Sequence, residues 1–425
     1  MLTRKAGLIA AFGLWTFVLG LALGSPTVLL ASVPVVLYLA VMLLGSRPHI
    51  GVTVTRTMPP TQTHEGDEAK VLLRVRNDGP SVDLELVDEL PPGIAVSGGS
   101  NHIFARLSNG ESRDFTYAFS PQLFGAYTFG PIRLRASDRA SMRYEEKVEK
   151  LTGTLRVYPR VDYIKGVSLS YRRPRSWPGE TTSRRAGQGL EFYGIREHLS
   201  GDPLRRVNWK ASGRTGRLML NQFMNETGGE TVIVLDLRST SRVGTPPDTV
   251  AAHSVRAAAT LSYRLLRDRN RVGLMGIGKY LTRVPPGFGR RQFEKILAGL
   301  VSSEVSDEDW GLDMVPYYIA LYYSRMVQLV LVTPLADRRP LYLTVNLARK
   351  GYDVIVVSPS VVGLDQPRGH DPRTVRLAKE LAEIDRDQKI ASLRKYARVV
   401  DWNPTLPLGD ALEGLREDWR ARRRA

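Results

Sequence analysis

The sequence predicts a membrane-anchored α+β protein in three parts: a helical hairpin, an antiparallel β-sandwich and an α/β domain. Three observations lead there. Two uncharged apolar runs open the chain, period-two alternation fills residues 49–160, and apolar strand runs alternate with helical stretches after residue 230.

The apolar runs are "GLIAAFGLWTFVLGLALG", residues 7–24, and "PTVLLASVPVVLYLAVMLLG", residues 26–45. Each is long enough to cross a hydrocarbon core of about 30 Å as a helix. Pro26 breaks any single continuous helix, so a tight hairpin follows. Arg4 and Lys5 precede the first run and Arg47 follows the second, while the turn is uncharged. The positive-inside rule then places both ends, and the bulk of the chain, on the cytoplasmic side of the cell membrane. A signal peptide is the competing reading of the first run, with Ala22 and Gly24 as the small residues before a cleavage point.

Residues 48–162 read as the sandwich. "VTVTRT", "AKVLLRVRN", "VDLELVDELP" and "RDFTYAFSP" alternate between faces and are separated by "NDGP", "PPG" and "SNGE" turns. An immunoglobulin-like arrangement is expected, with Leu72, Val75, Leu86, Phe115, Tyr117 and Phe129 in its core. Residues 163–189, rich in Arg, Gly, Ser and Pro, read as a linker or exposed loop.

Residues 190–425 read as the α/β domain. "TVIVLD", "RVGLMGI", "VQLVLVT", "YDVIVVS" and "ARVVDW" are continuous apolar runs, as buried parallel strands require, and helical stretches separate them. Ligands of such sheets bind beyond the carboxyl ends of the strands, which directs attention to the loops after Asp236, Ile277 and Thr333. A closing helix is expected to pack Leu412, Leu415 and Trp419.

Composition narrows the chemistry. Of 425 residues, 60 are Lys or Arg against 43 Asp or Glu, a net charge of +17. Such a charge suits an anionic partner or the cytoplasmic side of a membrane. Cysteine is absent, which excludes disulfides, thiolate metal sites and cysteine nucleophiles.

The densest chemistry lies in residues 190–223, around "IREHLSGDPLRRVNWKASGRTGRL". Its candidate residues are Arg196, Glu197, Gly201, Asp202, Arg205, Arg206, Trp209, Lys210 and Arg214. In one reading the acids and bases pair internally and cap the sheet, with Trp209 buried as an anchor. In a second, Arg and Trp form a partner surface. In a third, the bases grip phosphates while Trp209 or Tyr193 stacks on bases, although Glu191, Glu197 and Asp202 would repel the same phosphates. His198 beside Glu197 does not make a triad, and "GIGK" at residues 276–279 lacks the spacing of a phosphate loop. No catalytic constellation is legible, so the chain is not expected to be an enzyme.

"GLEFYGIREHLSGDPLRRVNWKASGRTGRLMLNQF" resembles the signature of the family called domain of unknown function 58, and the hairpin, "RVYPR" and "VVDWNPTLPLGDAL" are similar to further parts of it. The resemblance implies a von Willebrand factor A-like α/β domain, and a role beside a MoxR-type AAA+ ATPase in assembly or maturation of other proteins. Such domains often hold Mg²⁺ through an Asp-x-Ser-x-Ser motif. The corresponding run here is "DLRST", with Asp236 and Thr240 as degenerate candidates and Arg238 in place of the first serine. A guanidinium has five donors and no acceptor, so no cofactor is expected and Asp236 is expected to pair with Arg238 or another base. "TPLAD", residues 333–337, also departs from the usual Thr and Asp pattern. The expected function is that of a membrane-anchored interaction or scaffold protein. The alternative is a basic, membrane-associated nucleic-acid-binding protein.

Overall fold

The computed structural model describes residues 3–44, 50–58, 61–137, 143–164, 175–176, 182–307, 311–362, 364 and 371–413. The chain divides into two compact units, Met1–Val157 and Tyr158–Ala425.

In the first unit α1 (Arg4–Ala22) and α2 (Pro26–Leu44) pack along each other. Thr3 caps α1 by accepting the Ala6 amide. Glycines set the approach: a Cβ on Gly13 would lie 2.8 Å from Val35 Cγ1, and one on Gly20 2.9 Å from the Leu29 amide. By length and composition α1 can cross a membrane, and α2 is apolar over Pro26–Val41.

Eleven strands follow: β1 (Val52–Thr57), β2 (Gln62–His64), β3 (Ala69–Asn77), β4 (Val82–Asp88), β5 (Val96–Gly98), β6 (His102–Leu107), β7 (Ser112–Phe119), β8 (Gly125–Phe129), β9 (Ile132–Ser137), β10 (Tyr144–Glu149) and β11 (Gly153–Tyr158). They form antiparallel sheets in the orders β1-β3-β7-β5, β10-β9-β4-β6 and β2-β11-β8. Alternation works as the sequence suggests: Val71, Leu73 and Val75 are fully buried while Arg74 and Arg76 face water. The same pleat corrects two of the expected core residues. Leu72 sits on the outer face of β3 and Leu73 takes the core position, and Phe115 packs against the core only partly buried. Val75, Leu86, Tyr117 and Phe129 lie inside as expected.

This core also encloses a charge pair that alternation does not reveal. Asp88 and Tyr117 are buried, and Arg56 Nη1 donates to Asp88 Oδ1 at 2.5 Å, with both side chains at most 2% exposed. Tyr117 Oη donates to Asp88 Oδ2 at 2.8 Å, and the guanidinium also donates to the carbonyls of Gly130 and Leu151. Three guanidinium N–H bonds and the tyrosine hydroxyl thus point at oxygens, the compensation a buried charge needs.

In the second unit, β12 (Arg175–Ser176), β13 (Thr182–Glu197) and β14 (Met219–Gly228) form an antiparallel sheet ordered β12-β14-β13. The reading of residues 163–189 as a linker is corrected here, since residues 175–176 and 182–189 are strand. Between β13 and β14 the chain makes an excursion that includes α3 (Trp209–Thr215).

The main sheet starts with β15 (Glu230–Asp236). After a small hairpin of β16 (Gly244–Thr245) and β17 (Asp248–Thr249) come α4 (Val250–Arg267), β18 (Arg271–Ile277), β19 (Leu281–Gly287) and α5 (Arg290–Val301). The domain continues with α6 (Val315–Tyr322), β20 (Gln328–Val332), α7 (Arg339–Arg349), β21 (Asp353–Pro359), α8 (Pro372–Leu393) and β22 (Arg398–Trp402). The six strands run β19-β18-β15-β20-β21-β22, all pairs parallel except β18 with β19. Both faces are covered: Val232 and Val234 join the core beneath α6, α7 and α8, while Ile233 and Leu235 lie on the face where α4 and α5 pack. The five predicted strands are all present. Residues 408–413 are helical with Leu408 and Leu412 buried, while Leu415 and Trp419 lie outside the described residues.

Candidate functional site

β15 delivers Asp236 to the carboxyl edge of the sheet, fully buried. Two residues on, Arg238 folds back over it, 1% exposed. Its Nε and Nη2 donate to Asp236 Oδ1 and Oδ2 at 2.9 and 3.0 Å. The opposite side of the same guanidinium meets Asp337, Nη1 to Oδ2 at 2.8 Å and Nη2 to Oδ1 at 3.2 Å. Thr333 Oγ1 donates to Asp236 Oδ2 at 2.8 Å, and Ser241 Oγ donates to the Asp236 carbonyl at 2.9 Å.

Electrostatics follow the geometry. Burial disfavours a charged guanidinium, but its hydrogen bonds to Asp337 and Asp236 and their negative charges outweigh it and raise the Arg238 pKa. Burial likewise opposes ionisation of Asp337, yet the hydrogen bond and charge of Arg238 hold its carboxyl below the usual range. The guanidinium thus fills the space between two carboxylates from different strand ends. With Arg238 seated, the donor set does not fit Mg²⁺, because the carboxylate oxygens are committed to N–H donors and the occupant is itself a cation. Thr240 Oγ1 is buried without a hydrogen-bond partner and does not join the cluster. Among the described residues, no group of three His, Asp or Glu could hold a metal ion.

The loop after β20 is fastened from α8 as well. Lys389 Nζ donates to the Leu335 and Ala336 carbonyls at 3.0 and 3.1 Å. Arg386 donates to the Pro334 carbonyl at 3.0 Å, the Ser358 carbonyl at 2.8 Å and Asp401 Oδ1 at 2.5 Å. Leu335 holds a φ of 54°, in the left-handed region. Three buried cations therefore crowd the ends of β15 and β20, part of the edge where open α/β sheets admit ligands. A pocket of about 730 Å³ remains farther along, beyond β21 and β22, bordered by Ser360, Glu383, Asp387, Asn403 and Asp410. At residues 276–279, Lys279 Nζ meets Glu304 Oε2 at 3.2 Å, and Gly278 is pressed against the Glu304 carbonyl.

The charged segment divides into a paired half and an open half. Arg196 grips Asp202 with two bonds of 2.6 and 2.7 Å, and the Leu199 amide donates to the same carboxylate at 2.9 Å. The Arg196 hydrogen bonds first, and then the Leu199 amide, push the Asp202 pKa down to about 2. Gly201 closes this turn with a φ of 98°, a conformation that disfavours any side chain. Glu197 meets Arg217 at 2.7 Å on the surface. His198 Nε2 lies 3.2 Å from the Asp202 carbonyl.

Asn208 caps α3 by accepting the Ala211 amide at 3.0 Å, Ser212 Oγ accepts the Met219 amide at 2.9 Å, and Gly216 ends the helix in the left-handed region. These bonds fasten α3 to β14 on its inner side. Trp209, expected as a buried anchor, is instead 70% exposed. Leu199 and Leu204, in the stretch that leads to α3, are each 64% exposed. Arg205, Lys210 and Arg214 are exposed too, and none forms an ion pair with a described residue, while Arg206 is half-buried. Internal pairing thus accounts for Arg196, Glu197 and Asp202 and leaves an aromatic and basic surface around α3.

Uncharacterized proteins of Mycobacterium bovis and Mycobacterium tuberculosis are each 30% identical to the chain over 112 residues, 26% of this chain. The match spans 35% of the length of those relatives. Among solved structures, an aerotolerance-related membrane protein from Bacteroides fragilis matches over 45% of this chain and 98% of its own, at 15% identity and a TM-score of 0.29. The CARDB domain of a Pyrococcus furiosus protein matches over 27% of this chain and 96% of its own, at 17% identity and a TM-score of 0.19. Residues 194–359, from the charged segment through β21, match the profile of the family described as protein of unknown function DUF58. This segment, which holds both the Arg196–Asp202 turn and the Arg238 cluster, is the part of the chain that resembles the DUF58 family.

Proposed function

We propose that the protein is a membrane-anchored cytoplasmic scaffold that docks a protein partner. In this reading α1 and α2 form a spanning hairpin, the antiparallel sheets make an immunoglobulin-like spacer, and the second unit is a von Willebrand factor A-like domain. The observation that carries the reading is the surface around α3. An exposed Trp with exposed Arg205, Lys210 and Arg214 nearby in sequence is the composition that dominates binding energy at protein interfaces. The internally held Arg238 supports docking without a bridging cation.

The resemblance noted above supports a MoxR-type AAA+ ATPase as the partner, acting in assembly or maturation of other proteins. Co-purification of the full chain from detergent at moderate salt, read by mass spectrometry, tests this. An AAA+ ATPase or a membrane protein is recovered if the reading holds; repeated recovery of neither removes it.

A further inference from the structure

The first half of α8 is almost wholly exposed. The inner side of the helix's second half buries Arg386, Lys389, Ile390 and Leu393. On the opposite side Leu377, Leu381 and Ile384 are 57%, 67% and 55% exposed. Spacings of four and three residues align them in one stripe along the helix. A surface helix has no use for a second apolar stripe directly opposite its buried one unless something covers it.

The charges beside the stripe indicate what fits. Arg373 and Arg376 lie in the first turns and Glu380, Glu383 and Asp387 follow, all exposed. This order runs against the helix dipole, which favours acids at the start and bases at the end, so it does not serve α8 on its own. Arg376 reaches Glu380 only at 4.0 Å, and Arg373, Glu383 and Asp387 form no ion pair with a described residue. Turned end for end, the same pattern complements itself. A second α8 lying antiparallel sets Arg373 and Arg376 beside Glu383 and Asp387 of the other copy, and stacks Leu377 on Ile384 about a centre at Leu381.

We propose that α8 is a self-association surface, pairing antiparallel with α8 of a second copy of this chain about a two-fold axis at Leu381. This surface is separate from the one around α3 and does not depend on the partner reading. Residues on an isologous interface contact their symmetry mates reciprocally, and that fixes the register.

The chain has no cysteine, so single-cysteine variants report the register cleanly. In full-length protein oxidised in membranes, Leu381→Cys forms a disulfide-linked dimer. Leu377→Cys alone stays monomeric, because two copies of residue 377 lie roughly 12 Å apart along the axis at 1.5 Å per residue. Mixed Leu377→Cys and Ile384→Cys chains cross-link to each other. Arg376→Glu lowers the Leu381→Cys dimer yield at least fivefold, and adding Glu383→Arg restores it. Absence of the Leu381→Cys dimer overturns the proposal, as does equal self-linking by Leu377→Cys or failure of the charge swap to rescue.

Discussion

Arg238 donates through one guanidinium to Asp236 and to Asp337, a residue 99 positions away, and so ties the end of β15 to the loop after β20. Both partners would be stranded by its removal. Breaking a buried ion pair from one side costs about 3–5 kcal/mol. Arg238→Ala is expected to lose stability on that scale in urea unfolding of the full chain, and a loss under about 1 kcal/mol would show that water reaches the cluster. Calorimetric titration of the unaltered protein with Mg²⁺ is expected to give no saturable heat.

The Arg196–Asp202 turn makes a pH prediction. The Arg196 hydrogen bonds and the Leu199 amide hold the folded Asp202 carboxyl at about 2, below the usual carboxylate range. A depressed carboxylate contributes stability that is present above the unfolded value and lost as pH falls through the folded one. The Asp202 carboxyl resonance, or the Leu199 amide that bonds to it, is expected to move with a midpoint near 2. A midpoint near 4 would mean the pair is open in solution, and Arg196→Ala is expected to produce that shift.

In the antiparallel unit, Asp88 is held by Arg56 and Tyr117 away from water. Arg56→Ala is expected to cost about 3–5 kcal/mol by leaving a buried carboxylate unpaired. Tyr117→Phe, which removes one hydrogen bond and keeps the ring, is expected to cost about 1–3 kcal/mol. Differential unfolding of the two variants checks the order, and equal costs would contradict the geometry.

What the sequence disclosed depended on how local each signal was. β15, β18, β20, β21 and β22 were legible because a fully buried parallel strand must be continuously apolar. β19 was not, since Pro285 and Pro286 suppress a strand signal and are tolerated only because β19 is an edge strand. α6 reads VPYYIALY, apolar on every side, which gives no period to detect. β13 was mistaken for part of a linker because its Arg, Gly and Ser content mimics a loop. At the site, pairing of Asp236 with Arg238 could be anticipated two residues apart. Asp337 lies in the "TPLAD" run that the sequence singles out, but its pairing with Arg238 across 99 positions is not legible, and Arg386 and Lys389 act across the fold from a stretch that reads as an ordinary charged surface. Trp209 was misjudged for a different reason: an aromatic in a charged segment gives no indication of which side of a short helix it occupies.

Exposure of Trp209 separates folding from docking. Trp209→Ala should change stability by no more than about 0.5 kcal/mol, as expected of an exposed side chain outside the core that leaves the Asn208 cap in place. A larger loss would return Trp209 to a structural role.

Docking through the α3 surface is tested most directly by comparing partner recovery on the unaltered full chain with recovery on Trp209→Ala and on Arg205→Glu combined with Arg214→Glu, at equal expression and folding. At least a tenfold drop in the co-purified ATPase for both variants is the predicted result. Undiminished recovery with both would contradict it.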